Sequence, residues 1–130
     1  MKTITLTQEF PHSVEVVWGI VSDITRCDWV PSVESINLNG NVRSFSMEGI
    51  GEVQEKILIN DSEAHTLQYT AIKTPSSLQH HLATIKLKRS SEGCILDWMS
   101  EIEPEQFADA IEHGMQISLE GLKRVLSSFD

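Results

Sequence analysis

Residues 104–127 read PEQFADAIEHGMQISLEGLKRVLS, and this stretch decides the fold. Phe107, Ile111, Gly114, Met115, Ser118, Leu119, Leu122, Val125 and Leu126 recur at i, i+3, i+4 spacing, which gathers them on one face of an α-helix. Pro104 suits a first helical position, where no N–H is needed, and Glu105 lies in the first turn, at the positive end of the helix dipole. Lys123 and Arg124 sit at the opposite, favourable end. About 24 residues make a helix of about 36 Å, long for this chain, so its apolar face needs a wide apolar partner. Gly114 on that face costs about 1 kcal/mol relative to alanine, so it serves either close approach of a strand or a wider cavity.

The partner lies upstream. From Val33 to Glu103 the hydrophobic period is two. Strands are expected at Ser35–Leu38, Val42–Glu48, Glu52–Ile59, Thr66–Lys73, Leu78–Lys88 and Cys94–Ile102. Turn signals such as Asn39-Gly40-Asn41, Gly49-Ile50-Gly51 and Ser90-Ser91-Glu92-Gly93 separate them, the pattern of an antiparallel meander. Thr3–Phe10 alternates as a further strand that Pro11 stops. Ser13 caps a short helix through Val14, Val17, Trp18 and Val21, ending near Asp23. Thr25-Arg26-Cys27-Asp28 reads as a capping box that opens a second short helical turn before Pro31. The expected class is α+β: two short helices after the first strand, then a curved antiparallel sheet wrapped around a long C-terminal helix, with residues 1–130 forming one domain.

The chain has 130 residues, 40% hydrophobic and 22% charged, an ordinary globular balance that buries about two thirds of its surface on folding. Lys and Arg number 10 against 19 Asp and Glu, a net charge of −9 that phosphate repels. No nucleic-acid or anionic-membrane partner is expected. No apolar run reaches the roughly 20 residues that membrane insertion needs. Met1–Phe10 lacks the apolar stretch of a secretion signal, and Cys27 and Cys94 lie far apart in sequence. The expectation is a cytoplasmic protein with two free thiols.

Strand parity sorts the meander into faces. Arg43 travels with Phe45 and Met47, Glu55 with Val53, Ile57 and Ile59, Tyr69 with Leu67 and Ala71, and His81 with Ala83, Ile85 and Leu87. Trp98 shares a face with Cys94, Leu96, Ser100 and Ile102. Arg43, Glu55, Tyr69 and His81 therefore point toward the long helix. In a closed core each would need a partner, at several kcal/mol if unpaired. A cavity accommodates them more easily; the alternative is that some stand at strand ends and reach water. The candidate ligand-binding set is Arg43, Phe45, Glu55, Tyr69, His81, Ala83, Trp98 and Met115. Pairing about residue 50 puts Glu55 diagonal to Arg43, which predicts an Arg43–Glu55 ion pair with the Tyr69 hydroxyl within reach. Trp29 either packs in the core or covers one mouth of the cavity.

Other motifs are missing. His80 and His81 are adjacent on a strand, so their rings diverge, and His12, His65 and His113 have no ligand partners at useful spacing; no metal is expected. Gly49-Ile50-Gly51 lacks the context of a phosphate loop, no Gly-x-Ser-x-Gly elbow occurs, and no cofactor is implied.

Phe10 and Ser13 before Val17-Trp18, then Ser22-Asp23, Trp29, Gly40, Val42-Arg43, Gly49, Glu52-Val53-Gln54-Glu55, Asp61, Leu67-Gln68-Tyr69, Trp98 and Pro104 follow one another in a familiar order. In that order the chain resembles the START-like (SRPBCC) superfamily of the helix-grip fold, closest to its polyketide cyclase/dehydrase-like branch. The resemblance covers nearly the whole chain. It implies the sheet-around-helix fold and a small hydrophobic, aromatic or lipid ligand. Three functions stay open: a non-enzymatic binding module; a cyclase-type enzyme in which His81, Tyr69 or Glu55 moves protons on a polyketide-like substrate; and a protein-interaction domain with a closed core.

Overall fold

A computed structural model describes residues 1–30 and 32–129. Its strands are β1 (Lys2–Phe10), β2 (Asn37–Asn39), β3 (Val42–Met47), β4 (Gly51–Asp61), β5 (Thr66–Lys73), β6 (His80–Arg89) and β7 (Cys94–Glu103). They form one antiparallel sheet in the order β1-β7-β6-β5-β4-β3-β2, so the meander is capped by the N-terminal strand. Helix α1 (Val14–Val21) follows β1, and helix α2 (Ala108–Ser127) follows β7 through a 3₁₀ turn at Glu105–Phe107.

Local chemistry accounts for most boundaries. The Ser13 hydroxyl accepts the Val16 N–H at 3.2 Å and starts α1, which buries Val14, Val17, Trp18, Ile20 and Val21. In β7 the alternation is complete: Cys94, Leu96, Trp98, Ser100 and Ile102 are buried, and Met99 between them is exposed. Helix α2 buries Ala108, Met115, Ser118, Leu119, Leu122 and Leu126, with Phe107, Ile111 and Val125 packed at the margin. Pro104 stands one position outside the 3₁₀ turn as its cap, not inside an α-helix, and Gly114 leaves α2 unbroken.

Three expectations need correction. The second short helix is not formed: residues 23–30 make successive turns, closed by Arg26 N–H to Asp23 O at 3.0 Å and Val30 N–H to Cys27 O at 3.2 Å. The capping box fails because its members are engaged elsewhere. Asp23 Oδ1 takes the Thr25 N–H and hydroxyl, at 3.4 and 3.1 Å, while Arg26 holds the Asp28 carboxylate at 2.7 and 2.8 Å. Pro31, where that turn was to end, lies outside the described residues. Next, Ile59 faces outward at 41% exposure instead of sharing the face of Ile57, because a bulge at Leu58 reverses the alternation. Last, the strand expected at Ser35–Leu38 is only Asn37–Asn39, preceded by a single bridge from Val33 to Met47.

Two glycines position α2. A Cβ on Gly121 would stand 2.2 Å from the Trp29 carbonyl oxygen, so this glycine admits the backbone of the 23–36 segment onto the helix. A Cβ on Gly114 would meet nothing within 4 Å. The close approach is therefore made at Gly121, and Gly114 widens a cavity.

Candidate ligand cavity

That cavity has a volume of about 570 Å³ and lies between α2, the concave face of the sheet and the turns at residues 23–30, with Val33 and Ile36 also on its wall. Gly114, Met115 and Ser118 line it from α2; Val53, Leu67 and Ile85 line it from the sheet. Ile50 and Pro75, both exposed, also line it, so it reaches the surface beside the β3–β4 and β5–β6 turns. Arg43, Phe45, Glu55, Tyr69, His81, Trp98 and Met115 all lie on its wall.

Ala83 does not. It is fully buried, paired with Tyr69 on one side and Ser100 on the other, and is absent from the cavity wall. Parity gives the face of the sheet but not depth, and the short Ala83 methyl is fully buried between Tyr69 and Ser100 on the neighbouring strands.

The polar wall is built around Tyr69. Arg43 and Glu55 are directly opposite across β3 and β4, and Arg43 Nε donates to Glu55 Oε1 at 2.8 Å. The expected diagonal becomes a direct pair because the hairpin closes on Glu48-Gly49-Ile50, with Met47 opposite Gly51 and Gly49 at φ +80°. Moving the centre of the turn by one residue moves the partner by two. Arg43 Nη1 also donates to the Ile24 carbonyl at 3.2 Å, tying β3 to the segment after α1. The guanidinium carbon lies 4.8 Å from the Tyr69 ring centroid, within cation–π range. The third member of the cluster is thus the Tyr69 ring face, not its hydroxyl.

His81 has a distinct role. The β5–β6 ladder runs only from Thr66↔Lys86 to Tyr69↔Ala83. Beyond it the strands are joined differently: the Thr70 hydroxyl donates to the His81 carbonyl, and the Ala71 N–H donates to His81 Nδ1 at 3.0 Å. The imidazole replaces a missing carbonyl acceptor. Because a backbone N–H can only donate, Nδ1 must be the unprotonated nitrogen and Nε2 carries the hydrogen. Burial holds the ring neutral, with its pKa lowered from 6.5 to about 4, and the neighbouring His80 adds to the effect. His80 itself points the other way, to Glu101 at 3.0 Å.

Burial governs the other groups too. It raises the Glu55 carboxyl, and the Arg43 guanidinium pulls it part of the way back. It raises the Tyr69 phenol far above its ordinary value, and the Glu55 charge adds to the rise. Trp29 and Trp98 pack against each other with centroids 6.1 Å apart, and the indole N–H of each is buried without an acceptor among the described residues. The Trp98 N–H lies toward the Tyr69 hydroxyl without closing a hydrogen bond. Trp29, weighed as core or cover, is both buried and part of the wall.

Several wall residues lie outside the candidate set. Met47, Ala71 and Ile111 are on the faces that periodicity turned inward, although they were not named as ligand contacts. Pro75 and Val30 come from bends, where no period exists to read, and Leu78, expected to open a strand, lies just before β6.

Comparison with known proteins agrees with this architecture. A family model described as polyketide cyclase / dehydrase and lipid transport matches residues 1–127. No curated protein matches the sequence. Among solved structures, the protein XoxI from Bacillus cereus is 21% identical with a TM-score of 0.87, covering 96% of this chain and 95% of its own. An uncharacterised protein from Bacillus thuringiensis is 20% identical with a TM-score of 0.85, covering 95% and 98%. Norcoclaurine synthase from Thalictrum flavum, solved with dopamine and hydroxybenzaldehyde, is 15% identical with a TM-score of 0.77, covering 99% and 88%. The sheet wrapped on α2, the match over residues 1–127 and these shared folds together make the chain a member of the polyketide cyclase / dehydrase and lipid transport family, within the START-like (SRPBCC) superfamily.

Proposed function

We propose that this protein is a non-enzymatic binding module that holds a small hydrophobic or aromatic molecule between the sheet and α2. The observation that carries the reading is the cavity of about 570 Å³, mostly apolar, with one polar cluster at Tyr69 to orient a guest. A protein-interaction domain with a closed core would have no use for such a space. The seven wall residues Arg43, Phe45, Glu55, Tyr69, His81, Trp98 and Met115 are its proposed ligand contacts. Free cysteines at 27 and 94 suit a reducing, cytoplasmic setting. Among the described residues, no helix is long and apolar enough to cross a membrane.

The family description also admits a cyclase or dehydrase. The wall argues against proton transfer as its main work. His81 has its basic nitrogen occupied by the Ala71 N–H, Glu55 is committed to Arg43, and the Tyr69 phenol is held protonated. An environment-sensitive apolar dye should bind the folded protein and be displaced by aromatic or acyl compounds. Dye binding that begins only as the protein starts to unfold would report exposed core and overturn the reading.

A further inference from the structure

We infer that the guest of this cavity presents an uncharged hydrogen-bond acceptor, a ketone, ester or amide carbonyl, to a wall of donors formed by Tyr69, His81 and Arg43. The inference rests on the cavity being a ligand site and goes on to name the chemistry of the ligand. His81 Nε2 carries a hydrogen, because Nδ1 is held as the acceptor of the Ala71 N–H at 3.0 Å. Among the described residues no group accepts that hydrogen, and His81 lines the cavity. Arg43 spends Nε on Glu55 and Nη1 on the Ile24 carbonyl, and among the described residues both Nη2 hydrogens are unclaimed. Among the described residues the Tyr69 hydroxyl likewise has no acceptor of ordinary geometry. The three groups are neighbours: the Tyr69 ring centroid is 4.8 Å from the Arg43 guanidinium carbon and 6.0 Å from the His81 ring centroid.

Charge then selects among acceptors. A carboxylate would find Arg43, but the same guanidinium is already neutralised by Glu55 at 2.8 Å, and the new anion would face the Glu55 carboxylate across it. The whole chain carries −9, which adds to the repulsion. An ammonium ligand would meet mainly donors. An apolar body carrying a neutral carbonyl satisfies the unclaimed hydrogens without bringing a net charge into a buried site.

Three naphthalenes of similar size separate the cases: methyl naphthyl ketone, ethylnaphthalene and ionised naphthoate, titrated at neutral pH against the tryptophan fluorescence of the full chain. The ketone should bind about three- to tenfold more tightly than ethylnaphthalene, the value of one net hydrogen bond, and naphthoate should bind most weakly. In Tyr69→Phe and His81→Phe the ratio of ketone to hydrocarbon affinity should fall toward one. If those variants do not fold, the carbonyl stretching band of isotope-labelled ketone bound to the wild-type protein decides alone, and should lie below its frequency in hexane. Equal binding of ketone and hydrocarbon, naphthoate binding best, or an unshifted carbonyl band overturns the inference while the cavity remains a ligand site. If none of the three binds the folded protein, the ligand-site reading fails first and the inference falls with it.

Discussion

The same substitution made twice on α2 should have opposite effects. An interior helical glycine gains about 1 kcal/mol on replacement by alanine, through reduced backbone freedom in the unfolded chain. At Gly114 the added methyl meets nothing within 4 Å, so Gly114→Ala should keep nearly all of that gain. For a chain of this size the gain corresponds to a Tm rise of about 3–5 °C. At Gly121 the methyl would stand 2.2 Å from the Trp29 carbonyl oxygen, 3.0 Å from its carbonyl carbon and 3.3 Å from its Cα. The obstacle is backbone, so it cannot rotate away, and the 23–36 segment must retreat by about 1 Å to restore ordinary contact. Overpacking of this kind costs about 1–3 kcal/mol, and more when backbone must move, so Gly121→Ala should be destabilised even after its propensity gain. The two variants should differ by about 3 kcal/mol in urea unfolding followed by far-ultraviolet circular dichroism. Tryptophan fluorescence adds a second reading, because displacing Trp29 also disturbs its packing on Trp98 at 6.1 Å. Equal stabilisation by both substitutions would refute the seating of the Trp29 backbone on α2.

Arg43 and Glu55 side chains are only 13% and 14% exposed, so Arg43→Met or Glu55→Gln alone should cost roughly 3 kcal/mol by stranding a charge, and the double variant clearly less than the sum; strict additivity in urea unfolding would mean that no pair exists. The folded pKa of His81, about 4, lies below its ordinary 6.5, so its contribution is complete above pH 6.5 and is lost as pH falls toward 4, about 3 kcal/mol at most. Glu55, raised by burial, contributes with the opposite sign, present at low pH and lost as pH rises through its folded value. His81→Phe should therefore flatten the difference in stability between pH 6.5 and 4 relative to wild type, and an unchanged profile would contradict the buried neutral ring. Ala83→Trp should cost about 1–3 kcal/mol by overpacking and not act as a selective plug; a stable variant that no longer binds dye would show that Ala83 borders open space after all.

Where a residue's role depends on period, the sequence was readable. The long apolar face ending at Leu126 demanded a broad partner, and alternation from Val42 to Ile102 supplied it. The same parity turned Arg43, Glu55, Tyr69 and His81 toward the long helix, and all four line the cavity beside it. What escaped depends on events that parity does not encode. One extra residue at Leu58 turned Ile59 to solvent. Asp23 and Arg26 outcompeted the helix that Thr25 and Asp28 signalled, because side-chain hydrogen bonds to nearby groups rival a single helical turn. The hydrogen bond from Ala71 to the His81 ring could not be foreseen, since it exists only where a ladder ends. Ala83 and Gly121 were misjudged or passed over because depth and close approach belong to the packed molecule.

The pairing of β1 with β7 sets an order of events for the chain as it is made. Lys2 must find Ile102, and Phe10 must find Cys94, so within this sheet the strand made first waits for the strand made last. Until then, β1 has an unpaired edge and α1 has apolar residues without the floor that β6 provides. Helix α2, which fills the grip, emerges later still. Closing a loop of this length makes contacts distant in sequence decisive, which slows folding relative to chains built from local pairs. The nascent protein should therefore depend on being shielded from other chains during synthesis.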